Sequence, residues 1–225
     1  MTPARHAAAT PAVAHWWVAK VFLAAAVAGV AGGFALHLMR AVVVSAPAVR
    51  GLPELHGQAV WSAGKRPAPG FALRDQNGVR VSLGALRGRP VLLTFLDSRC
   101  RAQCPIQGRQ LGSILRRLPA AERPTLVVVS VNPKGDTRSA IRKAMRKWQL
   151  GGPWRWHWLN ARRSQLAAVW RSYGITVEPV SNDIVHSLAL LLIDGRGYER
   201  TAYLFPFLQG FVQGDLRLLA REAAA

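Results

Sequence analysis

Pro90 to Leu96 reads PVLLTFL, an unbroken apolar run that leads within four residues into Cys100-Arg-Ala-Gln-Cys104-Pro105. A short run with no polar alternation suits a strand buried on both faces of a sheet. The residues after Pro105 carry Ile106, Leu111, Ile114, Leu115 and Leu118 at helical spacing. The order strand, Cys pair, helix therefore predicts an α/β unit with Cys100 at the carboxyl end of a central strand. Ligands of such sheets gather at that end.

The rest of the chain supports this frame. Phe71–Leu83 reads FALRDQNGVRVSL, and Asn77-Gly78 predicts a two-residue hairpin turn between short strands. Thr125–Val131 predicts a second buried strand, and Thr137–Trp148 a helix with one basic side. Trp154, Trp156 and Trp158 alternate with Arg155 and His157, the period of a strand with one buried face. Ser164–Tyr173 predicts a helix stopped by Gly174, and Val185–Ile193 a third long strand. Asp194–Gly197 turns that strand into Tyr198–Tyr203, and Asp215–Arg221 reads as a short final helix. Strands alternating with helices call for a mostly parallel sheet covered on both faces.

Ahead of this domain, Val21–Met39 (VFLAAAVAGVAGGFALHLM) contains no formal charge and is bracketed by Lys20 and Arg40. Its length matches the hydrocarbon core of a bilayer, and Trp16 and Trp17 stand where interfacial aromatics are expected. The expected organisation is a cytoplasmic segment 1–20, a transmembrane anchor 21–44, a Pro/Ala/Gly-rich linker 45–69 and a folded domain 70–225. A signal sequence, uncleaved or cleaved near Ala46-Pro47-Ala48, is the second reading of the apolar segment, and a buried core helix, weakened by Gly29, Gly32 and Gly33, the third. Arg5 and Lys20 on one side balance Arg40 and Arg50 on the other, so orientation rests on the Cys pair.

Composition excludes several classes. Two Cys in 225 residues are not a disulfide framework. The formal charge of +19 invites a nucleic-acid reading. The Arg residues are scattered, however, and no nucleic-acid-binding signature accompanies them, so a solvated basic face is expected and no nucleic-acid partner.

Chemistry concentrates on the Cys pair. A helix amino terminus stabilises thiolates, and Arg99 and Arg101 add positive charge. Two soft sulfur ligands suit Cu(I), and a third, imidazole ligand completes a site that also tolerates Cu(II). Six His are available. His157 reads as structural, whereas the loop before the strand at His186 can pass close to the Cys helix.

The sequence FALRDQNGVRVSL, then RGRPVLLTFLDSRCRAQCP, VVVSVNP, WRSYGI and DIVHSLALLLIDGRG, resembles the Sco/SenC family of thioredoxin-like copper-binding cytochrome c oxidase assembly proteins. The resemblance spans about Phe71–Tyr203. It implies a thioredoxin-like fold, a central mixed sheet flanked by helices, preceded by one membrane helix. It implies one copper ion, Cu(I) or Cu(II), on Cys100, Cys104 and His186. It further implies a single-pass protein of a bacterial plasma membrane with its carboxyl-terminal domain outside the cytoplasm. There it receives copper from a donor and serves a copper-receiving membrane protein, a cytochrome c oxidase subunit.

Three departures stand out. LDSRC replaces the usual GYTxC-like stretch, Arg101 stands where acidic or neutral residues are usual, and Val185 precedes the His where Asp is common. A thiol–disulfide oxidoreductase using Cys100 and Cys104 without metal is the alternative function. A peroxiredoxin-like reading lacks its Thr three residues before Cys100.

Overall fold

The computed structural model describes residues 55–181 and 183–224. The apolar segment 21–44, and with it the anchor expectation, lies outside them. Among the described residues no helix is long and apolar enough to cross a membrane.

The elements are β1 (Ala59–Val60), β2 (Ala72–Arg74), β3 (Arg80–Ser82), β4 (Val91–Leu96), α1 (Gln103–Arg117), β5 (Thr125–Ser130), α2 (Arg138–Lys147), β6 (Trp156–Leu159), α3 (Arg163–Ser172), β7 (Val177–Val180), β8 (Asp183–His186), β9 (Ala189–Ile193), β10 (Glu199–Leu204) and α4 (Gln209–Ala224). Six strands form one sheet in the order β1-β10-β9-β4-β5-β6. β4, β5 and β6 are parallel, whereas β9 runs antiparallel to β4, and β10 and β1 continue that antiparallel half. The sheet is therefore mixed, as the family resemblance implies, and less parallel than the strand–helix alternation alone suggests.

The continuous apolar run is explained by two cores. Leu92 and Leu96 of β4 face one core with Leu111, Ile114 and Leu115 of α1 and Leu216 of α4. Val91, Leu93 and Phe95 face the other, with Leu73 and Val81 of the β2–β3 hairpin and Trp170 of α3. All six β4 residues are buried, and each large aliphatic contributes roughly 1.5–3 kcal/mol of burial.

Two polar side chains interrupt this apolar interior and tie it together. Thr94 Oγ1 donates to the Ala189 carbonyl at 3.0 Å and accepts from Gln107 Nε2 at 2.9 Å. This fully buried chain registers α1, which carries Cys104, against the first residue of β9, three positions after His186. Gly112 lets α1 lie against the turn after α2, because a methyl there would overlap the Gln149 carbonyl oxygen.

Several local expectations change. The first hairpin has a five-residue loop, Asp75–Val79, between the paired Arg74 and Arg80, not a two-residue turn. Asp75 Oδ1 accepts from the Asn77 and Val79 N–H groups and so organises the loop, while Gly78 takes φ +83°. The expected strand Val185–Ile193 divides at Ser187-Leu188. Its first part, β8, leaves the main sheet and pairs with β7 in a separate hairpin. The final helix is much longer than Asp215–Arg221, because residues from Gln209 onward pack Val212 and Leu216 into the core.

Residues 55–69, placed in the linker by composition, contribute to the packed unit. Leu55 joins the core and β1 extends the sheet beside β10. Asp215 is 1% exposed and accepts from the His56 backbone N–H and the Tyr203 hydroxyl, with His56 Nδ1 2.7 Å from its other oxygen. No apolar period could reveal a segment held in this way.

Candidate metal centre

Cys100 does not begin the helix, as its sequence position suggests. It lies in the turn after β4, its N–H donating to the Asp97 carbonyl at 3.1 Å, and α1 starts at Gln103. Two buried carboxylates brace that turn. Asp97 accepts from the Arg99 N–H at 2.7 Å and from Asn132 Nδ2 at 3.1 Å on both oxygens. Asp136 accepts from the Ser98 N–H at 2.8 Å and from Trp158 Nε1 at 3.0 Å. Burial raises the Asp136 carboxyl to a pKa of about 6. The loops after β4 and β5 are thus locked together beneath Cys100. Composition gives no sign of this brace, since Asp97, Asn132 and Asp136 read individually as ordinary turn residues.

Cys104 occupies the first turn of α1 and is fully buried, whereas Cys100 is partly exposed. Both are free thiols. The pair is strongly asymmetric. The Cys104 thiol, donating to Cys100, lowers the Cys100 pKa to about 6, helped by the N–H groups of Cys104, Ala102 and Gln103 against the cost of burial. The same hydrogen bond, and then burial, push the Cys104 thiol well above the usual thiol range.

His186 approaches Cys104 from β8. Its Nε2 lies 3.5 Å from Cys104 Sγ, and its Nδ1 lies 3.0 Å from the Ser187 carbonyl oxygen. A carbonyl only accepts, so Nδ1 carries the proton of the neutral ring and Nε2 presents its lone pair to the sulfur. Burial lowers the His186 pKa, which keeps the imidazole neutral at pH 7.

Cys104 is thus the common neighbour of Cys100 and His186. Among the described residues, no three His, Cys, Asp or Glu side chains are already gathered closely enough to hold a metal ion. His186 rides on β8, whose residues alternate between exposed and half-buried, outside the main sheet. His157, in contrast, is structural: its Nδ1 lies 3.0 Å from Asp75 Oδ2, joining β6 to the first hairpin.

The thiol asymmetry gives a direct expectation. In the reduced, metal-free chain, alkylation of Cys100 by iodoacetamide rises with pH through a midpoint near 6 and is nearly complete in its rise by pH 7. Cys104 stays unmodified over that range. Mass mapping of the alkylated residues against pH checks this. A shared midpoint near the ordinary thiol value for both residues contradicts it.

A mixed sheet flanked by helices, with a thiol pair after the first parallel strand, defines a thioredoxin-like α/β protein with a thiol–imidazole site. The family model described as SCO1/SenC matches residues 62–206, and the chain belongs to that family. Three solved structures illustrate the fold. Bradyrhizobium japonicum ScoI with copper bound is 22% identical, with TM-score 0.57 over 68% of this chain and 99% of that one. A SCO1/SenC family lipoprotein from Bacillus anthracis is 19% identical, with TM-score 0.61 over 72% of this chain and 99% of that one. BsSco, a member of the Sco family of cytochrome c oxidase assembly proteins with a disulfide switch, is 20% identical, with TM-score 0.59 over 69% and 94%.

Proposed function

We propose that this chain is a membrane-anchored, extracytoplasmic copper chaperone that binds one copper ion through Cys100, Cys104 and His186 and serves assembly of the dinuclear copper centre of cytochrome c oxidase. The observation that carries this reading is the approach of an unprotonated imidazole nitrogen to within 3.5 Å of the buried Cys104 sulfur. Two thiolates and one neutral imidazole match the softness of Cu(I) and also accept Cu(II). Copper bound to ScoI and the oxidase-assembly role of the BsSco family support the cargo and its destination.

Capture proceeds by loss of both thiol protons as copper takes their place. The low pKa of Cys100 makes it the sulfur that meets the ion first. Cys104 ionises only as the metal arrives, and His186 on β8, already 3.5 Å from the Cys104 sulfur, completes the site. Release reverses the order: Cys100, the more exposed sulfur, is the one a copper-receiving subunit can reach.

The reduced full chain in neutral detergent is expected to retain about one Cu(I) per protein after gel filtration. Copper absent from the protein fraction contradicts the chaperone reading.

The anchor supports a location at the bacterial plasma membrane. Residues 21–44 span the bilayer, 1–20 stay in the cytoplasm, and the domain lies outside; that a relative from Bacillus anthracis is described as a lipoprotein supports membrane attachment. A phosphatase reporter fused after Ala225 is expected to be active. Activity only of a reporter that works in the cytoplasm contradicts this topology.

A second reading has its own observation. An acidic Cys100 beside a resolving Cys104 of high pKa is the asymmetry of a thiol–disulfide oxidoreductase. In that reading the Cys100 thiolate attacks a partner disulfide and Cys104 resolves the mixed disulfide, leaving a Cys100–Cys104 disulfide and a reduced partner.

A further inference from the structure

Cys100 opens into a cleft of about 620 Å³ between α1 and α2. Its charged lining consists of Arg99, Arg101, Arg109, Lys143 and Lys147, with no Asp or Glu among the described residues. All five cations are exposed, and none is in an ion pair among the described residues. Ser139, Lys143 and Lys147 stand four apart and so share the face of α2 that borders the cleft. Ile106, expected from its spacing to point into the core, is 41% exposed and supplies an apolar spot beside Cys100.

Most buried carboxylates of the folded unit are engaged outside the cleft. Asp97 and Asp136 brace the Cys turn, Asp194 and Glu199 face Arg200 and Arg66, and Asp215 holds His56. The cleft thus concentrates unpaired positive charge around the reactive sulfur, and low-dielectric walls focus such a field. The cations come from three separate elements: the Cys turn, α1 and α2. They suit several carboxylates spread along a chain better than one compact anion.

We infer that this cleft is the docking groove for an acidic segment of the partner protein, which the five cations align so that the partner's own sulfur meets Cys100. The inference deepens the reading of Cys100 as the transfer sulfur and assigns the partner a chemistry: carboxylates flanking a cysteine. Charge complementarity sets the encounter rate, and Ile106 gives the bound segment an apolar contact.

The test uses the reduced full chain in neutral detergent, without copper, and two synthetic peptides. Each peptide carries one cysteine as a mixed disulfide with 2-nitro-5-thiobenzoate, flanked by glutamates in one and by lysines in the other. The Cys100 thiolate attacks the peptide sulfur, forms a Cys100–peptide disulfide and expels the coloured thiobenzoate thiolate, whose absorbance gives the rate. The glutamate peptide is expected to react at least about 10-fold faster at low salt, with the difference shrinking as salt is added. Lys143→Glu with Lys147→Glu removes most of that preference. Arg142→Glu with Arg146→Glu makes the same change of charge on the same exposed helix but outside the cleft, and keeps most of it.

Equal rates for the two peptides, or equal losses in the two double variants, overturn the inference. So does disappearance of the preference when phosphatidylglycerol is mixed into the micelles, since lipid headgroups then own the cleft. Copper stoichiometry measured in parallel separates the two claims. A chain that binds no copper yet keeps the preference refutes the chaperone reading alone, and one that binds copper without preference refutes the groove alone.

Discussion

Cys100→Ser is expected to abolish copper binding while leaving the chain folded. Serine removes a soft donor and replaces it with a hydroxyl that stays protonated at neutral pH, so Cu(I) loses both charge compensation and covalency. Cys100 sits outside α1 and is only partly buried, so the change leaves no cavity in either core. The circular dichroism spectrum should match that of the parent chain. Titration against a chromophoric Cu(I) chelator should show no retained Cu(I), a loss beyond the roughly 10- to 100-fold that outer-shell changes cause. Retention of one tightly held Cu(I) would remove Cys100 from the site.

His186→Ala should separate metal binding from thiol chemistry. Without the imidazole, Cu(I) keeps two sulfurs and binds about 10- to 100-fold more weakly, while Cu(II), which favours nitrogen donors, is lost. Cys100 should still alkylate with a midpoint near pH 6, because the first cause of its low pKa is the hydrogen bond from Cys104, not the ring. An oxidoreductase that makes no use of metal would keep its exchange rate in this variant. Unchanged affinity for both oxidation states would show that His186 is only a neighbour of Cys104.

Much of this was legible in residues 90–118. An apolar strand, a Cys pair and an amphipathic helix in that order position the sulfurs at a strand end, and the structure has the same order. The precise start of the helix was not legible: the Cys turn is stabilised by Asp97 and Asp136 through contacts with Asn132 and Trp158, distant in sequence. Nor was the separate hairpin that carries His186. Residues 185–193 are apolar enough to read as one strand, and only the register of β9 against β4, pinned by Thr94 and Gln107, shows where the main sheet begins. Ile106 fits the helix period yet faces the cleft, because Cys104, Pro105 and Gln107 fill the adjacent buried positions. Residues 55–69 escaped because they are held by polar contacts to Asp215 and Thr201, distant in sequence, and by a two-residue strand.

The most direct test is X-ray absorption at the copper edge of the Cu(I)-loaded full chain, compared with His186→Ala. Two sulfur scatterers and one imidazole nitrogen are expected in the parent, with the imidazole signal absent from the variant. A parent spectrum with sulfur alone, or an imidazole signal that survives the loss of His186, would contradict the account.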